Sequence, residues 1–419
     1  MDPILFKESK IMKGGVVAIK NCEIITPFRV IKKGTILIKE GKISKVDTAE
    51  KVAVPKDASV IDASGKIAIP GFIDNHAHGA LGHSLGESYE TINEITKYYA
   101  TRGTTAFLAD LCFSYDELLK RLRVVRKAME KGTDGAEIVG INLEGPYGNE
   151  KKGGSGSSAA GENIEWRSLS IEEFEQIMKE SNNALKLMVV APELEGALDF
   201  IKYITKRGVV ASLGITYATY DEAMAGVKAG IRNVDHVFNN MSVFHHRELG
   251  ASGVALICDE LTTELIADGH HVHPGAVKIV YRCKGPDRII LVTDSTEGAG
   301  LPEGEYTFGG IRFVLKDGKF AIPKPPSTSP LAGTPQEEKA TLAGSIIGMD
   351  DGVRNMLKFV GLPLQEAIRM ATINPAKRTG VDGRMGSLEK GKDANIAIVD
   401  KDLNVYTTLV KGKVVYKRS

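Results

Sequence analysis

Tryptophan occurs once in 419 residues, at Trp166, and aromatic residues make up only 6 % of the chain. A stacking platform for nucleic-acid bases has little to be built from. Cysteine occurs four times, at Cys22, Cys112, Cys258 and Cys283, with no paired spacing of the kind that holds zinc and no disulfide framework. Free thiols suit a reducing cytoplasm, which is the expected location. Excess charge of either sign is missing too, since 54 Lys and Arg against 53 Asp and Glu leave +1. That balance points to neither nucleic acid nor an anionic membrane as partner. No apolar run reaches membrane-spanning length, and Met1 to Lys20 lacks the uninterrupted apolar core of a signal peptide.

What is present is a hydrophobic fraction of 42 % beside 26 % charged residues, enough for a large barrel and an accessory domain. Residues 1–69 and 376–419 are rich in short apolar runs split by turn residues such as Glu40-Gly41 and Ser64-Gly65. We expect these two ends to form one β-sandwich domain. Residues 70–375 alternate strand-like runs with helix-like stretches, among them Tyr115 to Lys131, Ile171 to Glu180 and Tyr220 to Ala229. Strand–helix alternation of this length predicts an α/β fold, a distorted TIM-like (β/α)8 barrel. Glu305 to Ile322 reads as one β-hairpin turning at Asp317-Gly318, and Pro323 to Pro335 as an exposed loop.

The polar residues of interest follow the expected strands. His76 and His78 follow the first, Glu144 ends the third, His236 ends the sixth and Asp294 ends the eighth. Barrel enzymes of this architecture build their sites at the C-terminal ends of the strands. The i, i+2 spacing of His76 and His78 puts both imidazoles on one face, where they can grip a divalent ion; two unrelated histidines are the plainer alternative. Glu144 in Leu-Glu-Gly-Pro is costly to bury unless paired or metal-bound, and a salt bridge to Lys151 or Lys152 would serve equally. Asp294 can bind metal and accept a proton from water, or simply cap the next segment. Arg247 offers a guanidinium to an anion such as phosphate, although solvated surface arginines are commoner.

Taken together, the words Pro70-Gly71-Phe72-Ile73-Asp74 with His76 and His78, Leu143-Glu144-Gly145-Pro146, His236-Val237-Phe238-Asn239-Asn240-Met241, His245-His246-Arg247-Glu248, Ala267-Asp268-Gly269-His270-His271, Thr293-Asp294 and Thr341-Leu342-Ala343-Gly344-Ser345 resemble the N-acetylglucosamine-6-phosphate deacetylases of the amidohydrolase superfamily. The resemblance spans nearly the whole chain. It implies hydrolysis of the N-acetyl group of an amino-sugar phosphate by a homodimer using a divalent ion, Zn²⁺ or Fe²⁺, with a second metal position that some members fill. By position, Glu144 and His236 resemble ligands of one metal, His76 and His78 those of the other, and Asp294 the catalytic acid/base. His271 resembles a sugar contact, and Leu342 a further substrate-binding position. Asn239, Asn240 and Arg247 resemble the phosphate site, with Arg247 reaching the partner subunit's site.

Two departures stand out. Where the family has a metal-binding histidine after strand five, this chain has Ile215 in Gly214-Ile215-Thr216. Lys151-Lys152-Gly153 leads to Gly154 and Ser155 in place of a loop histidine. Asp110 and Cys112 also differ from the expected pattern. These changes keep two alternatives open: an amidohydrolase for another N-acyl amino sugar or a cyclic amide, and a ligand-binding paralogue without turnover.

Overall fold

Two eight-stranded sheets organise the residues described by this computed structural model, 15–150, 166–323 and 340–418. The first sheet gathers both ends of the chain. Its order runs Lys413–Lys417, Val405–Val410, Ile396–Val399, Ile67–Pro70, Val17–Ile25, Val30–Lys39 and Lys42–Thr48, with Ser59–Asp62 attached beside Val17–Ile25. The ends meet where Ile67–Pro70 pairs antiparallel with Ile396–Val399. Ile19, Ile24, Ile36, Ile38, Ile396, Ile398 and Leu409 form its buried face. These β-branched and leucine side chains fill a pleated surface well.

Only Gly71 separates Ile67–Pro70 from the first barrel strand, Phe72–Ala77. The barrel strands that follow are Thr104–Leu111, Glu137–Leu143, Leu185–Val189, Val210–Leu213, Asn233–Val234, Thr262–Ile266 and Ile289–Val292. Each pairs in parallel with its neighbour in chain order. Every residue of Thr104–Leu111 and of Ile289–Val292 is buried, as expected of a parallel sheet covered by helices. The eighth strand returns to the first through a bridge between Ala77 and Ser295 and a hydrogen bond from Asp294 N to His76 O of 2.8 Å. The distorted (β/α)8 barrel and the sheet from both termini are therefore present.

The helices form where the residue pattern predicts. In Tyr115–Lys131, Leu118, Leu122, Val125 and Ala128 share the buried face. Asp116 and Glu117 sit in the first turn and Lys131 in the last, complementing the helix dipole. Thr219 and Glu222 cap Tyr220–Ala229 reciprocally.

The expectation of a single hairpin over Glu305 to Ile322 is corrected. The segment folds into three strands, Gly304–Phe308, Ile311–Lys316 and Lys319–Pro323, with Ala340–Leu342 as a fourth. Gly309 and Gly310, at φ 52° and 79°, make an additional turn, since two successive positive φ values give the tight geometry that matches strand twist. Asp317-Gly318 makes the second turn. Phe313 and Phe320 stack in the core of this small sheet with centroids 4.8 Å apart. The expected loop from Pro323 to Pro335 lies outside the described residues beyond its first residue.

Candidate active site

Extended backbone carries His76 and His78 to the same face at the end of the first strand. Glu144 stands one residue past the third strand, His236 two past the sixth and Asp294 two past the eighth. The parallel order of the sheet brings these strand ends side by side. Asp294 is held in an unusual conformation, at φ 50°. Its amide donates to His76 O and its carbonyl accepts from Ser345 N at 2.7 Å, which fixes where the carboxylate stands.

The side chains converge. His76 Nε2 lies 3.1 Å from His78 Nε2 and 3.6 Å from Asp294 Oδ1, and His78 Nε2 lies 3.2 Å from the same oxygen. Glu144 Oε2 stands 3.5 Å from His78 Nε2 and 3.9 Å from His76 Nε2, while its Oε1 is 2.7 Å from His236 Nε2. Donors each held about 2.1 Å from one ion are roughly 3.3 Å apart in a tetrahedral set. The spacing among His76, His78 and Asp294 therefore suits one divalent cation, and His76, Glu144 and His236 form an overlapping group of donors. All five residues predicted as ligands meet here.

Three further carboxylates surround them. Asp110 Oδ2 lies 3.5 Å from His76 Nε2, while Asp235 Oδ1 and Glu264 Oε2 lie 3.1 and 3.2 Å from His76 Nδ1. None of the three is more than 1 % exposed. Asn142 donates to Asp110, and Asn233 Nδ2 donates to Glu264 Oε1 at 2.9 Å. The sequence marks Asp110 only as a departure from the family pattern and does not single out Asp235 or Glu264. The signal existed: Glu264 sits inside the apolar strand Thr-Thr-Glu-Leu-Ile, where an acid is costly unless partnered.

The protein's own charges are strongly coupled at this place. Burial alone would disfavour the His78 imidazolium, but Asp110 and the hydrogen bond with Asp294 outweigh it and raise His78 to about 9. The same contest, won by Asp235 and Glu144, raises His236 to about 10. Burial lifts Asp110 to about 7 against the pull of His76 and His78. For Asp294, burial is outweighed by the hydrogen bond with His78 and the His76 charge, which hold its carboxyl well below the usual range. A field that holds protons on imidazoles also favours a cation in their stead. Buried atoms that find no hydrogen-bond partner among the described residues, Asp110 Oδ1, both Asp235 oxygens and His236 Nδ1, fit the same conclusion. The donor set of imidazoles and carboxylates suits zinc or iron chemistry.

Ile215 occupies the position after the fifth strand at φ 44°, a costly conformation for a β-branched residue, and is 2 % exposed. A Cβ on Gly148 would come within 2.7 Å of Ile215 Cγ2 and 2.6 Å of Trp166 Cζ3, so these three residues pack closely. Asn239 folds its Nδ2 back on the carbonyls of His236 and Val237 at 3.1 and 3.2 Å, and the Asn240 carbonyl accepts from Thr216 N at 3.0 Å. Arg247 is exposed and makes no ion pair among the described residues. His271 Nδ1 lies 2.7 Å from Asp268 Oδ2. Leu342 sits in the last strand of the small sheet, opposite Ala321. No described hydrogen bond ties the Arg247 or His271 side chain to the donor cluster. Lys151, Lys152 and Ser155 lie outside the described residues. No helix among the described residues is long and apolar enough to cross a membrane.

The amidohydrolase family model matches residues 67–415. The N-acetylglucosamine-6-phosphate deacetylase of Vibrio furnissii is 35 % identical over 83 % of this chain and 82 % of its own length. The N-acetylgalactosamine-6-phosphate deacetylase of Escherichia coli O157:H7 is 32 % identical over 86 % of this chain and 90 % of its own. The solved structure of N-acetylglucosamine-6-phosphate deacetylase from Pasteurella multocida is similar with a TM-score of 0.83 at 28 % identity, covering 96 % of this chain and 100 % of that one.

Proposed function

From a chain that belongs to the amidohydrolase family, we infer a deacetylase that hydrolyses N-acetylglucosamine 6-phosphate to glucosamine 6-phosphate and acetate. The observation that carries this reading is the meeting of His76, His78 and Asp294 donor atoms within 3.1–3.6 Å of one another at the barrel mouth. These three residues, with Glu144 alongside, would hold a divalent ion, zinc or iron. Such an ion supplies a nucleophile of hydroxide strength at neutral pH and polarises the amide carbonyl.

The chain's own residues do the rest. The Asp294 carboxylate is placed to accept the proton of the attacking water and return it to the departing amine nitrogen. The C–N bond breaks, oxygen joins the acetyl carbon, and the amine leaves protonated. His236, hydrogen-bonded to Glu144, stands beside the same group of donors. His271, fixed by Asp268, is assigned to the sugar, and Leu342 to a further substrate contact. Asn239 and Asn240 are assigned to the phosphate.

Arg247 is assigned to the phosphate in the partner subunit of a homodimer. Exposed Val243 and Phe244, 70 % and 52 % accessible, stand beside it and support a protein contact there. We place the enzyme in the cytoplasm, where a phosphorylated sugar is retained and where its four free thiols remain reduced.

The relative that acts on the C4 epimer gives the galacto sugar standing as the second substrate reading. Acetate release from N-acetylglucosamine 6-phosphate, N-acetylgalactosamine 6-phosphate and unphosphorylated N-acetylglucosamine decides between them. The first is expected to give the highest kcat/KM and the unphosphorylated sugar the lowest. Preference for the galacto epimer overturns the sugar assignment. Turnover independent of the phosphate overturns the phosphate site.

A further inference from the structure

Five carboxylates, Asp110, Glu144, Asp235, Glu264 and Asp294, close on the imidazoles of His76, His78 and His236. Ligation requires neutral imidazoles. A divalent ion held by His76, His78 and Asp294 leaves Asp235, buried against His76 and His236, without a cation of its own.

The hydrogen bonds indicate where the second ion belongs. With Nε2 of His76 turned toward His78 and Asp294, its Nδ1–H donates to Glu264 Oε2 at 3.2 Å. Glu264 also accepts from Asn233, so it is spoken for. Asp235 is not. Its Oδ1 stands 3.1 Å from His76 Nδ1 and its Oδ2 3.2 Å from His236 Nε2, yet neither oxygen accepts a hydrogen bond among the described residues. His236 Nε2 thus faces two carboxylates, Glu144 at 2.7 Å and Asp235 at 3.2 Å. A single Nε2–H can satisfy one of them and leaves the other buried and unpaired. A cation at Nε2 pairs with both.

The carboxylate also lies beside the position where a ligand is missing. A Cβ on Gly214 would meet Asp235 Cβ at 2.5 Å and Oδ2 at 2.7 Å, so Asp235 packs directly over the residue before Ile215. Isoleucine has no donor atom. We propose that Asp235 is a metal ligand: it joins Glu144 and His236, the pair that the family resemblance already gives to one metal, in place of the side chain that residue 215 cannot supply. This rests on reading the site as a metal centre.

The test is metal content after equilibrium dialysis of the full chain against Zn²⁺ or Co²⁺, followed by elemental analysis. Two ions per wild-type chain are expected, and one per chain in Asp235→Asn. One ion in the wild type, or two in the folded variant, overturns the proposal. Anomalous scattering at the metal edge in wild-type crystals covers the case of a variant that does not fold. It should show two peaks, one at coordination distance from Asp235, and a single peak or an Asp235 turned away from both overturns the assignment. A wild type that binds one ion and still releases acetate defeats only the second position. A wild type that binds none defeats the metal-centre reading itself.

Discussion

His76 Nε2 and His78 Nε2 stand 3.1 Å apart, both buried, with Asp294 Oδ1 within 3.6 Å of each. Two ring nitrogens at this separation share at most one proton, and an ion between them removes the conflict. His78→Ala should therefore weaken metal binding by more than the roughly 10- to 100-fold expected of a residue that acts through another. Competition against a chromogenic chelator measures this, and an unchanged affinity would remove His78 from the ligand set.

Glu264 reaches the His76, His78 and Asp294 donors through His76. Its Oε2 lies 3.2 Å from His76 Nδ1, so it fixes which ring nitrogen is left to ligate. Glu264→Gln keeps the shape and one acceptor for the His76 Nδ1–H, removes the charge, and gives up the bond accepted from Asn233. We expect metal affinity to fall by about 10- to 100-fold, with kcat recovering when the metal is raised to saturation. A loss of kcat that saturation does not restore would mean a more direct role.

Much of this site was legible in the residues. Strand ends deliver His76, His78, Glu144, His236 and Asp294 to one mouth, and a strand–helix alternation predicts that delivery. Asp235 and Glu264 were not legible by the same route. An acid inside an apolar strand signals that a buried partner exists, but only the fold names it, and the partner of Glu264 is His76, 188 residues away. In the small sheet two turn signals, Gly309-Gly310 and Asp317-Gly318, divide the segment into three strands. Helix ends were easier, because capping is local: Thr219 and Glu222 are three residues apart.

Arg247 is exposed among residues that include Val243 and Phe244. If it serves a phosphate across a subunit interface, Arg247→Ala should raise KM for the phosphorylated sugar at least tenfold and leave kcat nearly unchanged, since uniform binding is lost. Analytical ultracentrifugation in parallel should report a dimer. An unaltered KM would detach Arg247 from the substrate.

Lys284 donates to Cys258 O rather than to any residue of the donor cluster, and it sets a pH dependence of stability. Burial lowers its ammonium to about 8, and its Nζ donates to Cys258 O at 2.5 Å. In the unfolded chain it titrates near 10.4. Between these values the unfolded state binds more protons than the folded one, so this residue makes stability rise with pH across that window. Chemical denaturation of wild type and Lys284→Met from pH 7.5 to 10.5 should show the difference moving in favour of the wild type as pH rises. A flat difference would place the Lys284 titration elsewhere.

The most direct measurement is to strip the protein of metal, add Zn²⁺ or Fe²⁺ back in steps, and follow both bound ion and acetate released from N-acetylglucosamine 6-phosphate. Acetate release should be absent from the stripped protein and rise in proportion to occupancy, and Asp294→Asn should lower kcat by about 10²- to 10⁴-fold. A folded, fully loaded wild type that releases no acetate would contradict the account.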